Sequence, residues 1–355
     1  MACTIVPPYL LQRLATLEDP ALAPVVAAAR ASLTRDQPFR GIRQGEPPTI
    51  AARRITLTPR VLEDPVRRVF DAGNGETLPG TPVREEGTAP VTDEAVNEAY
   101  DGLGHTHAFF RTVYERASIN DANLPLNATV HYGDDYDNAF WDGERMVFGD
   151  GDGLVFARMT ASLSVIGHEL AHGVTQYTAN LTYEGQSGAL NESVSDVFGA
   201  LVEQFTAGET AEQASWLIGV GLFTDAVEGR ALRSLKEPGS AYDDDVLGKD
   251  PQPAHMDGYV VTTEDNGGVH LNSGIPNRAF YLSAAALGGH AWERAGQVWY
   301  DTLTGDGLTP TADFATFAEA TLTAAASRYG DGSEEHRAVR DGWLGVGIEV
   351  SPPTV

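Results

Sequence analysis

The stretch VIGHELAHGV, residues 165–174, sets two histidines four positions apart, with a glutamate directly after the first, inside an apolar run. On a helix, residues four apart lie on one face about a turn from each other, so His168 and His172 can bind one metal ion while Glu169 sits beside it. Two imidazoles alone are not a catalytic zinc site, which has three protein ligands and an open position. The bland alternative is a helix that carries two surface histidines, and the residues downstream of the pair decide between the two.

The next helical pattern, ALNESVSDVFGALVEQF at 189–205, places Leu190, Val194, Val197, Phe198 and Leu201 at the helical period, with Glu192 and Asp196 four apart on another face. Two carboxylates on the metal side of a helix are costly to bury unless something positive lies between them. Glu192 as third ligand satisfies that demand, with Asp196 accepting from the outer ring nitrogen of a ligand histidine. Asn191, next to Glu192, is placed with Asp196 behind the ligands.

The rest of the composition sets bounds. With 355 residues, 42% of them hydrophobic, the chain can build one large domain or two lobes around a sizeable core. Fifty acidic against 24 basic residues give a formal charge of -26, which repels nucleic acid and anionic membrane surfaces, so neither is an expected partner and a monomer is. No window reaches the roughly 20 unbroken apolar residues of a membrane span. The start, MACTIVPPYLLQRLA, has no basic n-region, and Pro7 and Pro8 interrupt its apolar run, so it does not read as a Sec signal peptide. A single cysteine, Cys3, excludes an intrachain disulfide framework.

Along the chain, residues 1–50 read as a small N-terminal piece with one helical pattern over Pro20 to Leu33. RDQPFRGIRQGEPPTIAARR at 35–54 comes next as a basic, Pro- and Gly-rich linker with a processing site between about 40 and 55. From about 55 to 160, short β-like runs (TVHYGDD, RMVFGDGDGLVFA) alternate with Gly and Asp turns around one helix near 92–117. Helical patterns occupy 161–178, 190–206, 272–287, 291–303 and 311–328. The expected fold class is α+β: a β-rich N-terminal lobe at 51–185 that includes the metal helix, and a helical C-terminal lobe at 186–355.

HELAH, then NESVSD with Glu192 20 residues beyond His172, then DNGGVHLNSGIPNRAFYL together resemble the thermolysin family of zinc endopeptidases. The likeness runs from RRVFDAGNGETLPG at 67 to the C-terminus, and PPYLLQRL at 7–14 resembles the short propeptide of its protealysin-like branch. The resemblance implies two lobes with the zinc helix on the floor of the cleft between them. Spacing argues against rivals. A metzincin needs a third histidine where Thr178 stands, and an aminopeptidase of the broader clan carries a GxMEN strand where this chain has NAFW.

By that resemblance Glu169 is the proton acceptor for the zinc-bound water. Tyr183 and His270 stabilise the oxyanion, and Asp265 holds the His270 imidazole as a donor. Arg233 binds the substrate carbonyl beyond the cut, and Asn138 and Ala139 pair with substrate backbone. Phe156, Met159, Val165, Ile218, Leu222 and Leu232 match the pocket for the residue after the cut, although core packing suits these six as well. His105, His107, His131 and His255 have no such context and read as surface or structural residues. Where the family holds calcium through an acidic cluster, this chain has Ser164, Ser215, Val220 and Gly221, with Glu203 left alone and Arg230 against a further site near Thr224. The double calcium site is therefore expected to be lost. YDDDVLGKD at 242–250 reads as a solvated acidic loop.

The function expected is a neutral endopeptidase with one catalytic Zn2+, cutting on the N-terminal side of bulky apolar residues. The N-terminal piece is expected to act as an intramolecular inhibitor, with Tyr9 and Leu10 as anchors, Pro7 and Pro8 fixing an extended approach, and Cys3 placed to reach the zinc or to pack as a small apolar group. The alternative is a zinc-bearing scaffold whose hydrolysis is weak or lost. The family favours an extracellular location after leaderless export, with the cytoplasm as the alternative.

Overall fold

The computed structural model describes residues 3–42 and 63–350. The chain divides into two compact units, Met1–Ser162 and Leu163–Val355. The division falls within the expected N-terminal lobe, between Ser162 and Leu163, just ahead of the metal helix.

The N-terminal unit is built on a six-stranded sheet: β1 (Cys3–Thr4), β2 (Arg67–Asp71), β3 (Thr81–Glu85), β4 (Leu126–Val130), β5 (Ala139–Trp141) and β6 (Met146–Phe148), in spatial order β1-β5-β6-β4-β2-β3. β2, β4 and β6 run parallel to one another, and the other pairs are antiparallel. AFW and MVF are unbroken apolar runs, and β5 and β6 are accordingly buried along their whole length. Tyr132, Tyr136, Phe140 and Val147 form a core cluster beside them. Helix α3 (Glu94–Tyr114) packs against β2 and β4. Its N-cap Asp93 accepts from the Val96 N–H at 3.3 Å, and its chain reverses at Glu115 in the left-handed region, φ 51°.

The N-terminal piece contains two helices, α1 (Pro8–Ala15) and α2 (Ala23–Ile42), packed on each other. Among its described residues the extended stretch ahead of α1 is short, the strand Cys3–Thr4 and Pro7 itself. Pro8 opens α1 at a position where a missing N–H costs nothing, and Leu10, Leu11 and Leu14 are buried while Tyr9 is half-buried. α2 runs past the expected end at Leu33 and through Pro38, so the expected linker begins later than its composition suggested. The reason is tertiary. Ser32 Oγ accepts from the Asp137 N–H (3.0 Å), Asp36 accepts from Tyr136 Oη (2.7 Å) and Asn138 Nδ2 (3.1 Å), and Arg35 donates to Asp134 O (2.9 Å). These bonds hold a segment whose propensity alone would end it. Most of the expected processing region lies outside the described residues, which resume at 63.

The C-terminal unit holds α4 (Leu163–Gln176), α5 (Gly185–Ala207), α6 (Asp265–Asn272), α7 (Gly274–Leu287), α8 (Ala295–Thr304), α9 (Phe314–Tyr329) and α10 (Glu334–Leu344). Between α5 and α6 lie two short hairpins, β7 (Leu217–Ile218) with β8 (Arg233–Ser234) and β9 (Asp243–Asp244) with β10 (Gly248–Lys249). α10 is not among the helices expected from periodicity, although Ser333 caps it and Glu334 and Glu335 fill its first turn. The acidic run at 242–250 is a capped hairpin: Asp244 accepts from the N–H groups of Glu228, Val246 and Leu247.

Candidate active site

α4 and α5 approach closely enough to bring their polar faces together because glycines face each other. A Cβ on Gly199 would lie 2.5 Å from Ser164 O and 3.0 Å from the His168 nitrogen, and Gly167 lies over Gly199 from the other side. That approach sets His168 and His172 opposite Glu192. The three are buried, and their ligand atoms all fall within 4.8 Å of one another. His168 Nε2 and His172 Nε2 are 3.0 Å apart, and Glu192 lies 3.5 Å from each, through Oε2 and Oε1 respectively. A tetrahedral zinc with bonds of about 2.0–2.1 Å holds its ligand atoms roughly 3.3 Å apart.

The tautomers are fixed from outside. His168 donates from Nδ1 to Asp196 Oδ1 (2.8 Å). His172 donates from Nδ1 to Asn191 Oδ1 (2.7 Å), with Ser195 Oγ 3.0 Å from the same nitrogen, and the Asn191 amide is oriented by its own donation to Leu181 O (3.0 Å). Both Nε2 atoms thus present bare lone pairs to each other, an arrangement that repels unless a cation lies between them. Glu192 Oε2 is buried with no hydrogen bond among the described residues. A proton shared by the two imidazoles would leave it orphaned, whereas a divalent cation satisfies all three groups. The donor set of two imidazoles and one carboxylate is zinc chemistry.

Electrostatics point the same way. Burial pushes the Glu192 carboxyl up, but the surrounding His270, His172, His168 and Arg233 outweigh it and hold it down at about 2. Asp196 is likewise held low against its burial by Arg233 and His168. Glu169, directly after His168 on α4, is fully buried.

Two further groups converge on Glu192. Tyr183 donates its hydroxyl to Glu192 Oε1, and His270 Nε2 lies 3.3 Å from the Tyr183 hydroxyl and 3.5 Å from Glu192 Oε2. His270 is aimed by a turn in which Asp265, Asn266, Gly267 and Gly268 all have positive φ, between 52° and 85°. Asn and Gly tolerate that region, so DNGG is a backbone requirement as much as a chemical one. Asp265 Oδ2 accepts the His270 backbone N–H (2.9 Å), and Oδ1 accepts from Nδ1 (2.7 Å). With Nδ1 already donating, Nε2 donates only from the imidazolium. Asp265 therefore acts by favouring the charged ring rather than by choosing a tautomer. Burial lowers the His270 pKa, but Asp265 and Glu192 outweigh it and leave it raised.

Arg233 is fully buried on β8 and forks onto Asp196 (Nη2 to Oδ1 2.9 Å, Nε to Oδ2 2.9 Å). Val165, Ile218, Leu222 and Leu232 are at most 1% exposed. Ile218, Leu222 and Leu232 gather around the β7–β8 pair, where Leu232 donates its N–H to Ile218 O (2.9 Å) and Leu222 and Leu232 flank Gly219. Phe156 and Met159 are fully buried in the N-terminal unit. In that unit the expected substrate-pairing residues already hold a strand: β1 pairs with β5, Ala139 O accepts from the Ile5 N–H (3.1 Å), and Asn138 Oδ1 accepts from the Val6 N–H (2.9 Å).

Three polar residues at this site were not singled out from sequence. Ser195 contacts His172, Asn266 donates to Tyr183 O (3.2 Å), and Asn277 donates to Asp196 Oδ2 (2.8 Å). For Asn277 a signal existed: it is an amide on the stripe of α7 that also carries Phe280 and Ala284, all of it buried.

Comparison with known proteins agrees with this geometry. Residues 54–176 match the thermolysin metallopeptidase catalytic domain, and residues 179–348 match the thermolysin metallopeptidase alpha-helical domain. An extracellular metalloprotease of Pectobacterium carotovorum subsp. carotovorum is 55% identical over 284 residues, covering 80% of this chain and 81% of that protein. Protease PrtS of Photorhabdus sp. (strain Az29) is 50% identical over 293 residues, covering 82% and 78%. Among solved structures, the precursor of protealysin, a metalloproteinase from Serratia proteamaculans, superposes with a TM-score of 0.87 at 48% identity, covering 98% of this chain and 100% of that one.

Proposed function

The chain belongs to the thermolysin family of metallopeptidases, and on that premise we propose that it is a zinc-dependent neutral endopeptidase, cutting before bulky apolar residues and made as a self-inhibited precursor. The observation that carries the reading is the pair of imidazole Nε2 atoms 3.0 Å apart, both Nδ1 positions engaged elsewhere, beside a buried Glu192 oxygen with no hydrogen bond among the described residues. His168, His172 and Glu192 would hold a zinc ion, which would supply a Lewis acid for the scissile carbonyl and lower the pKa of a water there.

The chain's own groups do the rest. Glu169 takes the proton from that water and passes it to the leaving amine. Tyr183 Oη and His270 Nε2 donate to the developing oxyanion, and Asp265 steadies the imidazole. Arg233 turns toward the substrate carbonyl beyond the cut while Asp196 anchors its fork. The apolar set around β7 and β8 supports a preference for Leu, Phe, Ile or Val after the cut, each worth about 1.5–3 kcal/mol when buried. Val165, Ile218, Leu222 and Leu232 all belong to the C-terminal unit.

Residues 1–50 are proposed as the inhibitory segment. The reading is supported by the pairing of β1 with β5 and by the bonds of Val6 and Asp36 to Asn138, because these take up the backbone and amide groups assigned to substrate. The reach of the Cys3 thiol falls outside the described side chains. Leu10→Asp should wake the enzyme or unfold the precursor, while Cys3→Ser should change little if apolar anchoring dominates; equal latency in both variants would remove the inhibitory role. The names of the relatives support an extracellular site of action.

Loss of the double calcium site is supported by local bonding. Ser164 Oγ accepts from the Gly219 N–H (3.1 Å), and Ser215 Oγ accepts from the Leu217 N–H (3.2 Å). Glu203 stands as a single acid with a raised pKa, driven by burial and by Glu209 and opposed by a bond to Ser164. The test of the whole reading is metal content together with cleavage of a peptide, with and without a chelator. Stoichiometric zinc and chelator-sensitive cleavage are expected; zinc without cleavage in the processed chain would favour the scaffold reading.

A further inference from the structure

Asp196 serves two masters. Its Oδ1 meets the ligand histidine His168 (2.8 Å) and the Arg233 Nη2 (2.9 Å), while its Oδ2 meets the Arg233 Nε (2.9 Å) and the amide of Asn277 (2.8 Å). All four residues are fully buried. A guanidinium is a planar fork that prefers both oxygens of a carboxylate in its own plane. An imidazole N–H wants one oxygen along its own N–H direction. A single carboxylate holds both only if its rotation about the Cβ–Cγ bond is fixed, and among the described residues the further side chain hydrogen-bonded to Asp196 is Asn277.

Asn277 can do this because of where it sits. It lies in the first turn of α7, its backbone N–H bonded to Ser273 O (3.0 Å), on a helix that packs on both α5, which carries Asp196, and β8, which carries Arg233. Its amide orientation is dictated by its neighbour, since a carboxylate oxygen accepts only from the NH2 end. That leaves Asn277 Oδ1 buried with no hydrogen bond among the described residues. An apolar side chain of similar volume would avoid that penalty, so packing alone does not account for an amide here.

We propose that Asn277 is a positioning residue that fixes the Asp196 carboxylate and so sets, at once, how firmly His168 holds the metal and how Arg233 is presented to substrate. The inference rests on the zinc-peptidase reading. Without the amide, Asp196 relaxes onto the Arg233 fork and His168 loses the partner that orients it. Removal of such a partner typically costs about 10–100-fold in metal affinity.

The test uses the full chain carrying Glu169→Gln, which blocks self-cleavage, with zinc affinity read by competition against a chelator. Asn277→Leu should loosen zinc by more than threefold, and the loss should shrink to less than threefold when Asp196→Asn is already present, because the residue acts through that carboxylate. In the processed, catalytically intact enzyme the same substitution should raise KM more than it lowers kcat. If the Glu169→Gln parent itself binds no stoichiometric zinc, the metallopeptidase reading fails and not this inference alone. If the parent binds and Asn277→Leu changes affinity by less than threefold, or by the same factor with and without Asp196→Asn, the positioning role is overturned. Should Asn277→Leu not fold, Asn277→Asp, of nearly equal volume but carrying the same negative charge as Asp196 and so repelled by it, is read by the same thresholds.

Discussion

Glu192 and Asp137 are two fully buried carboxylates, one in each unit, and they answer burial in opposite ways. Around Glu192 three imidazoles and Arg233 overcome desolvation and hold the group ionised, at about 2. Around Asp137 burial dominates, Asp152 and Asp135 add to it, and only the Asp152 backbone N–H and Arg35 oppose it, so its pKa rises to about 8. Among the described residues neither Asp137 oxygen has a side-chain partner. The first carboxylate keeps its charge because the site is organised around a cation; the second keeps its proton because nothing there repays the loss of water. Their pH signatures are therefore opposite. Stability from Glu192 is present above its ordinary 4.5 and lost as pH falls through about 2. Stability tied to protonated Asp137 is full below its ordinary 3.8 and lost as pH rises through about 8.

The sharpest break in the comparison comes at the metal side. Glu169→Gln should leave zinc and fold intact and cut kcat by roughly a hundredfold to ten-thousandfold, the usual worth of general acid–base catalysis. Near-normal turnover with a full complement of zinc would mean that another group takes the proton. His172→Ala and Glu192→Gln should differ from it by releasing metal, measured as zinc per chain after dialysis, since they remove ligands rather than the base.

On the other side, Asp137→Asn should stabilise the precursor selectively at high pH. Denaturant midpoints taken at pH 5 and pH 9 should move closer together than in the parent; an unchanged gap would mean that Asp137 does not hold its proton in the folded chain. Next comes a site between these extremes, His131, whose ring bridges Asp150 (Nδ1 to Oδ2, 2.8 Å) and Asp93 (Nε2 to Oδ2, 2.9 Å). The bond to Asp150 is the largest influence on it, burial opposes, and Asp93 adds, so its pKa rises to about 9. His131→Gln should cost about 1–2 kcal/mol below pH 6.5, the scale of bonds to charged groups. That cost should fade as pH climbs through about 9, and a pH-independent loss would show that the imidazolium is not what Asp93 and Asp150 hold. The smallest effect concerns calcium. With Ser164 and Ser215 in place of acids, millimolar calcium should raise the melting temperature by no more than about 2–3 °C; a rise above about 10 °C would require several kcal/mol of binding and a cation site intact.

The metal residues were legible because their signal is local. HELAH and NESVSD each sit on one helix, where the residue period puts donors on a face without reference to the rest of the fold. His131 shows the limit: its two carboxylate partners lie 38 and 19 residues away, on a helix cap and a loop, and no period links them. The N-terminal piece shows another. Its composition argued for a linker after Leu33, whereas α2 continues to Ile42, held by bonds from Ser32, Arg35 and Asp36 to residues about a hundred positions away.

By itself the sequence determined the α+β class and the helical spacing of His168, His172 and Glu192, because each depends on the periodicity of short segments. Tertiary structure alone decided that Asn277 shares Asp196 with His168 and Arg233, and that Asp137 keeps a proton while Glu192 keeps a charge. Those outcomes depend on which distant groups surround a buried atom. The free energy of a buried polar group is set by its neighbours in space, whereas periodicity reports only its neighbours along the chain.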